Sequence, residues 1–90
     1  MVNNARQAYR QALGRVLRKA RKAANLSTVD VAKGLGCDRS LVSHLERGRR
    51  RLSVQQLDVF AAITHLEVSA LMDAVRRELL VGDDGADDRV

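Results

Sequence analysis

Apolar positions in the first quarter of the chain recur at helical spacing. Tyr9, Leu13, Val16, Leu17 and Ala20 fall at i, i+4, i+7, i+8 and i+11, one stripe with most cations off it. The stripe predicts a first helix over residues 5–24, stopped by Asn25, which tolerates the left-handed conformation. Ser27 with Asp30 three residues on resembles a capping box, Asp replacing the usual Glu, and opens a helix over 28–35. Val31, Ala32 and Leu35 share its inner side, and Gly36 ends it in a tight turn. Asp38 is the expected N-cap of a third helix over 39–47, with Leu41 or Val42 plus Leu45 inward and Gly48 as its stop. Ser53 with Gln56 forms another capping box for a fourth helix running to about residue 65. Its buried face draws on Leu57, Phe60, Ala61 and Ile63 or Thr64. Ser69 is the expected cap of a fifth helix, 70–81, with Leu71, Met72, Val75 and Leu79 on one stripe. From Gly82 the apolar pattern stops. Residues 82–90 therefore read as an acidic, disordered tail behind one domain, residues 1–81.

Composition agrees with this all-α, five-helix reading. A chain of 90 residues holds one compact core, and 46% hydrophobic residues suffice to fill it. There is no proline and only 2% aromatic residues, which disfavours a sheet-rich fold. One cysteine excludes an internal disulfide framework and a thiolate-rich zinc site. No apolar run approaches the roughly 18 residues of a membrane span, and no basic-then-apolar leader opens the chain, so neither membrane insertion nor secretion is expected.

Charge adds a direction. Residues 1–52 carry 13 Lys and Arg against 3 Asp and Glu, a net of +10, whereas residues 53–90 carry 3 against 8, a net of −5. The basic half includes Arg15, Arg18, Lys19, Arg21 and Lys22, then Arg47, Arg49, Arg50 and Arg51. Such a division fits a polyanionic partner on one face or a merely solvated surface. Charge alone does not choose.

The stretch 28–47 chooses. Two short helices are separated only by Gly36-Cys37-Asp38, with small Ala32 where they touch and Val31, Leu35, Cys37, Val42 and Leu45 inward. Together these describe a helix-turn-helix. The residues Leu17, Arg21, Asn25-Leu26-Ser27, Val31-Ala32, Leu35-Gly36, Ser40, Val42-Ser43, Leu45-Glu46-Arg47-Gly48, Ser53 and Leu57 resemble the lambda-repressor-like regulators (Cro/cI-type, XRE family). The resemblance covers residues 13–72. It differs where Thr28 replaces a common Gln, Leu52 a common Pro and Glu67 a common Gly.

The resemblance implies a sequence-specific binder of double-stranded DNA, a repressor working as a homodimer on an inverted-repeat operator, cytoplasmic and nucleoid-associated. Helix three is then the recognition helix, with Arg39, Ser40, Ser43 and His44 at base-reading and adjacent positions. An arginine can donate two hydrogen bonds to guanine O6 and N7, the commonest specific contact. Thr28, Arg47, Arg49, Arg50 and Arg51 read as phosphate contacts that set register. Matching family positions imply a structural ion pair of Arg21 with Glu46, and a dimer surface at Leu71, Val75 and Leu79. Cys37 reads as a small core residue, and His44 and Cys37 are too few for a zinc site. No catalytic constellation, metal or cofactor is expected. The alternative on the same fold is an antitoxin, or an adaptor whose partner is a toxin or another regulator.

Overall fold

A computed structural model describes residues 2–88, with side chains from residue 5 to residue 80. The order is α1 (Val2–Ala23), α2 (Thr28–Leu35), α3 (Arg39–Glu46), α4 (Val54–Thr64) and α5 (Val68–Asp88), with no strand among the described residues. The chain is all-α, as the periodicity predicts.

Local chemistry sets most of the boundaries. Both capping boxes form: Ser27 Oγ accepts from the Asp30 amide while Asp30 accepts from the Ser27 amide, and Ser53 and Gln56 do the same. Four helices stop at a left-handed residue: Asn25 after α1, Gly36 after α2, Gly48 after α3 and His65 after α4. At each stop the amide one residue further reaches back along the helix, as Leu26 to Arg21 O, Cys37 to Ala32 O, Arg49 to His44 O and Leu66 to Ala61 O. His65 takes this role without being glycine, as histidine does more readily than most residues; its sequence context marks it only as a helix-end residue.

The core is Ala12, Val16 and Leu17 of α1, Val31 and Ala32 of α2, Val42 and Leu45 of α3, Phe60 and Ala61 of α4, and Leu71 and Val75 of α5. Val42, not Leu41, is the fully inward residue of α3, and Ile63 is half-buried beside fully buried Thr64. The Thr64 hydroxyl donates to Phe60 O at 2.8 Å, so its burial leaves no unpaired donor. Tyr9, expected on the inner stripe, is 38% exposed, because the seam of α1 runs through Ala12 instead.

Helix α1 is the central strut, packed against both α3 and α5. Its contact with α3 is unusually close. A Cβ on Gly14 would strike the Glu46 carbonyl oxygen and lie 2.7 Å from the Leu45 carbonyl oxygen. The turn after α3 is equally tight, since a Cβ on Gly48 would lie 2.8 Å from Gln11 Cα. Along the other side, α5 runs antiparallel to α1. Ala23 and Ala70 line one cleft between the pair, and Glu78 bridges Arg15 (2.8 Å) and Lys19 (2.7 Å) further along.

Three expectations for α5 need correction. The helix starts at Val68, with the Leu71 amide donating to Glu67 O, so Ser69 lies inside the first turn and is not the cap. Leu71 is 2% exposed and Val75 is 0% exposed, both closed against α1, and Leu79 packs half-buried at the core edge. Leu71 and Val75 are therefore spent on the monomer core, whereas Leu79 keeps part of its surface free. Finally, the helix continues past Val81 to Asp88 where an unpatterned tail is expected from the sequence. Glycines at 82 and 85 weaken a helix by about 1 kcal/mol each yet keep their N–H, so they do not break it as proline would.

Gly14→Ala separates close approach from helix propensity. In an open helix the change stabilises by about 0.5–1 kcal/mol; against the Leu45 and Glu46 carbonyls it should cost about 1–3 kcal/mol. A melting temperature equal to or above wild type would refute the crossing.

Hydrogen bonds from Arg15, then Lys19, hold the Glu78 carboxyl below its ordinary value. A lowered folded-state value adds stability above the unfolded carboxylate range, and that stability is lost as pH falls through the lower folded value. Glu78→Gln should therefore cost about 1 kcal/mol at neutral pH. Its denaturation curve should converge with wild type in strong acid, and an equal gap at both pH values would contradict the bridge.

Candidate nucleic-acid interface

The two faces of α3 have opposite chemistry. Val42 and Leu45, 2% and 4% exposed, hold it to the core. Outward stand Arg39 and Ser40, exposed, then Ser43 and His44, half-buried, with Arg47 exposed just after the helix. Asp38 occupies the N-cap position in extended conformation, but its side chain makes no capping hydrogen bond. Its carbonyl accepts from Leu41 and Val42 instead, so the cap is made by the backbone alone. The expected carboxylate cap is absent, and the first amides of α3 gain no partner from that side chain.

Helix α2 crosses beneath α3. Its first residue, Thr28, is half-buried at a helix start whose remaining amides form a positive pole. Asp30 is held below its ordinary carboxyl value by the Ser27 backbone amide and hydroxyl, an effect of the capping box. Cys37, in the turn, is half-buried against the core; burial first, then the Asp38 charge, pushes its thiol up, away from reactive thiolate chemistry.

Orientation of α3 relative to α1 is set by one bidentate pair. Arg21 Nε donates to Glu46 Oε2 at 2.6 Å and Nη2 to Oε1 at 3.2 Å, while Nη1 donates to Leu26 O at 3.0 Å. The two side chains are 12% and 9% exposed. Hydrogen bonding to Glu46 raises the Arg21 value above its already high norm against the opposing effect of burial, so the guanidinium is a permanent charge.

The arginines do not act as one patch. Arg47, Arg49, Arg50 and Arg51 are all exposed along the segment that leaves α3. Arg15 and Lys19, placed with the basic half by the sequence, turn instead to Glu78 on α5. Arg18 joins Ser43 and Arg47 around a shallow cleft with Arg21 and Glu46 at its wall. Sequence reasoning places Arg18 only in the general basic run. The available signal is its spacing: Gly14, Arg18 and Arg21 lie at i, i+4 and i+7, one face of α1 turned to α3. Among the described residues, no group of three His, Cys, Asp or Glu is placed to hold a metal ion.

A helix-turn-helix domain profile matches residues 12–79. Over 77 residues, 86% of this chain and 82% of the relative, the sequence is 31% identical to the ImmF control region 10 kDa protein of Bacillus phage phi105. The restriction-modification controller protein C.AhdI of Aeromonas hydrophila is 34% identical, with a TM-score of 0.64 over 68% of this chain and 92% of that one. The clp gene regulator ClgR of Corynebacterium glutamicum shares the fold at a TM-score of 0.83, covering 88% of this chain and 84% of that one at 23% identity.

Glu46→Ala strands the Arg21 guanidinium and should cost about 3 kcal/mol, lowering the melting temperature by more than about 10 °C in a domain of this size. Asp73→Ala, which removes the exposed Asp73–Arg76 pair, should change stability by less than about 1 kcal/mol. Equal melting temperatures for the two variants would refute the structural role of the Arg21–Glu46 pair.

Proposed function

This chain belongs to the helix-turn-helix domain family, and from that premise we propose that it is a sequence-specific repressor acting as a homodimer on an inverted-repeat operator. DNA-binding transcriptional regulation is supported by the family match together with the phage control-region and restriction-modification controller relatives. Neither the family nor the fold is that of an enzyme. Among the described residues, no helix is long and apolar enough to cross a membrane.

One observation carries the reading. The inward face of α3 is locked by Val42, Leu45 and the Arg21–Glu46 pair, so the outward face is presented rigidly. Arg39 and Ser40 occupy its first turn and are exposed, the half that enters the major groove in a helix-turn-helix. Arg39 reads guanine through O6 and N7, and Ser40, Ser43 and His44 contact neighbouring base edges or phosphates. Thr28, at the positive end of α2, and Arg47, Arg49, Arg50 and Arg51, along the exit from α3, grip the backbone on either side of that helix. Affinity then rests mainly on phosphate contacts and falls steeply with salt, while specificity rests on a few base contacts. As Leu71 and Val75 are spent on the core, homodimerisation uses outward residues of α5, where Leu80 is 74% exposed.

Selection of binding sites from random duplex DNA tests the reading. The expected result is an inverted repeat with half-site centres about 10–10.5 base pairs apart. Arg39→Ala should lower affinity for the selected site by about 1–3 kcal/mol, with little effect on mixed-sequence DNA. Failure to enrich any sequence, or equal affinity of wild type and Arg39→Ala for the site, would overturn it.

A further inference from the structure

Beyond the recognition helix, four arginines converge on one cleft. Arg6 and Arg10 come from α1, and Arg50 and Arg51 from the segment joining α3 to α4. Tyr9, Leu13 and Leu52 complete its lining, which is largely apolar, and the open cleft has a volume of ≈ 340 Å³. We propose that this cleft is a second backbone-binding site, which holds a phosphodiester of duplex DNA flanking the sequence met by α3. The inference rests on the DNA-binding reading and deepens it by adding Arg6 and Arg10 of α1 to the interface.

Three observations support it. First, among the described residues, no carboxylate lines the cleft. Elsewhere in the fold the cations Arg15, Lys19 and Arg21 are met by Glu78 or Glu46. Four arginines at the lining of one small cleft make it a favourable place for an anion. Second, the site is built before any ligand arrives. Arg10 Nε donates to Gly48 O at 3.2 Å, which fixes the guanidinium stem and leaves its terminal amino groups for a planar, two-point grip on phosphate. The Gly48 backbone also sits against Gln11, so the turn carrying Arg50 and Arg51 is seated on the helix carrying Arg6 and Arg10. Third, the cleft is continuous with the reading head: the segment that supplies Arg50 and Arg51 begins where α3 ends. Its apolar lining lowers the local dielectric and strengthens each charge-assisted hydrogen bond. A phosphodiester chain already laid along α3 reaches this cleft without a second binding event, which favours DNA over a separate acidic peptide.

The test uses the full chain, a mixed-sequence duplex of about 30 base pairs, and binding measured across a range of salt. Arg6 and Arg51 are exposed, whereas Arg10 braces the turn and is left in place. In Arg6→Ala/Arg51→Ala, the slope of log affinity against log salt should become shallower by about 1.8, roughly 0.9 for each phosphate no longer neutralised. Affinity at low salt should fall about tenfold or more, with an unchanged melting temperature. If that variant melts early, Arg6→Gln alone should still shift the slope by about 0.9. A shift of only about 0.9 in the double variant, the share Arg51 carries along the exit from α3, or a wild-type slope in Arg6→Gln, overturns the inference while leaving the DNA-binding reading intact. A wild-type slope combined with abolished binding to a poly-aspartate peptide would assign the cleft to acidic protein and likewise overturn it. If the wild-type chain itself fails to bind the duplex, both fall together.

Discussion

The close crossing of α1 over the end of α3 is the constraint on which the rest of the molecule depends. Gly14 lets the Leu45 and Glu46 carbonyl oxygens sit where any side chain would stand. At that separation the Arg21 guanidinium spans the gap to the Glu46 carboxylate and still reaches Leu26 O, tying α1, α3 and the start of α2 together. The pair retains 12% and 9% exposure, so it avoids the full penalty of burying two charges while remaining shielded enough to be directional. A two-point pair between planar groups fixes rotation as well as distance. A helix of eight residues has little rigidity of its own and needs such external bracing.

Bracing on one side makes the other side available. With Val42 and Leu45 inward, the outer residues of α3 project in a defined order. The net charge of +5 acquires a direction by the same logic. Arg15 and Lys19 are drawn to Glu78 to clamp α5 along α1, and Arg21 is spent on Glu46. The cations that remain around α3 and the segment after it are Arg18, Arg39, Arg47, Arg49, Arg50 and Arg51, with Arg6 and Arg10 beside them. The fold thus uses some arginines as fasteners and leaves others for the polyanion of the proposed reading.

Much of this is legible in the residues because much of it is local chemistry. Ser27 with Asp30 and Ser53 with Gln56 write helix starts within four residues, and Asn25, Gly36 and Gly48 write helix ends. The helix-turn-helix is a dense run of such signals, so 28–47 is readable as a unit. What escapes is what depends on distant partners. Arg15 and Lys19 meet Glu78 across 63 and 59 positions, and no periodicity says which helix a cation will face. Leu71 and Val75 form the same apolar stripe whether that stripe meets α1 or a second chain; only the packing shows it is spent on α1. Gly14 is an ordinary helix glycine until the neighbouring carbonyls are seen. His65 ends α4 in the left-handed conformation, uncommon for any non-glycine residue although histidine is among those that adopt it, and nothing in its sequence neighbourhood marks it as the stop in the way a glycine would.

The central claim is that α3, held by α1, lies in the major groove and reads bases with its first two turns. Dimethyl sulfate, which methylates guanine N7 in that groove, tests it most directly on duplex DNA selected by the protein. The account predicts guanine N7 positions shielded in two clusters about 10–10.5 base pairs apart. A stable complex in which every guanine N7 remains as reactive as in free DNA would contradict it.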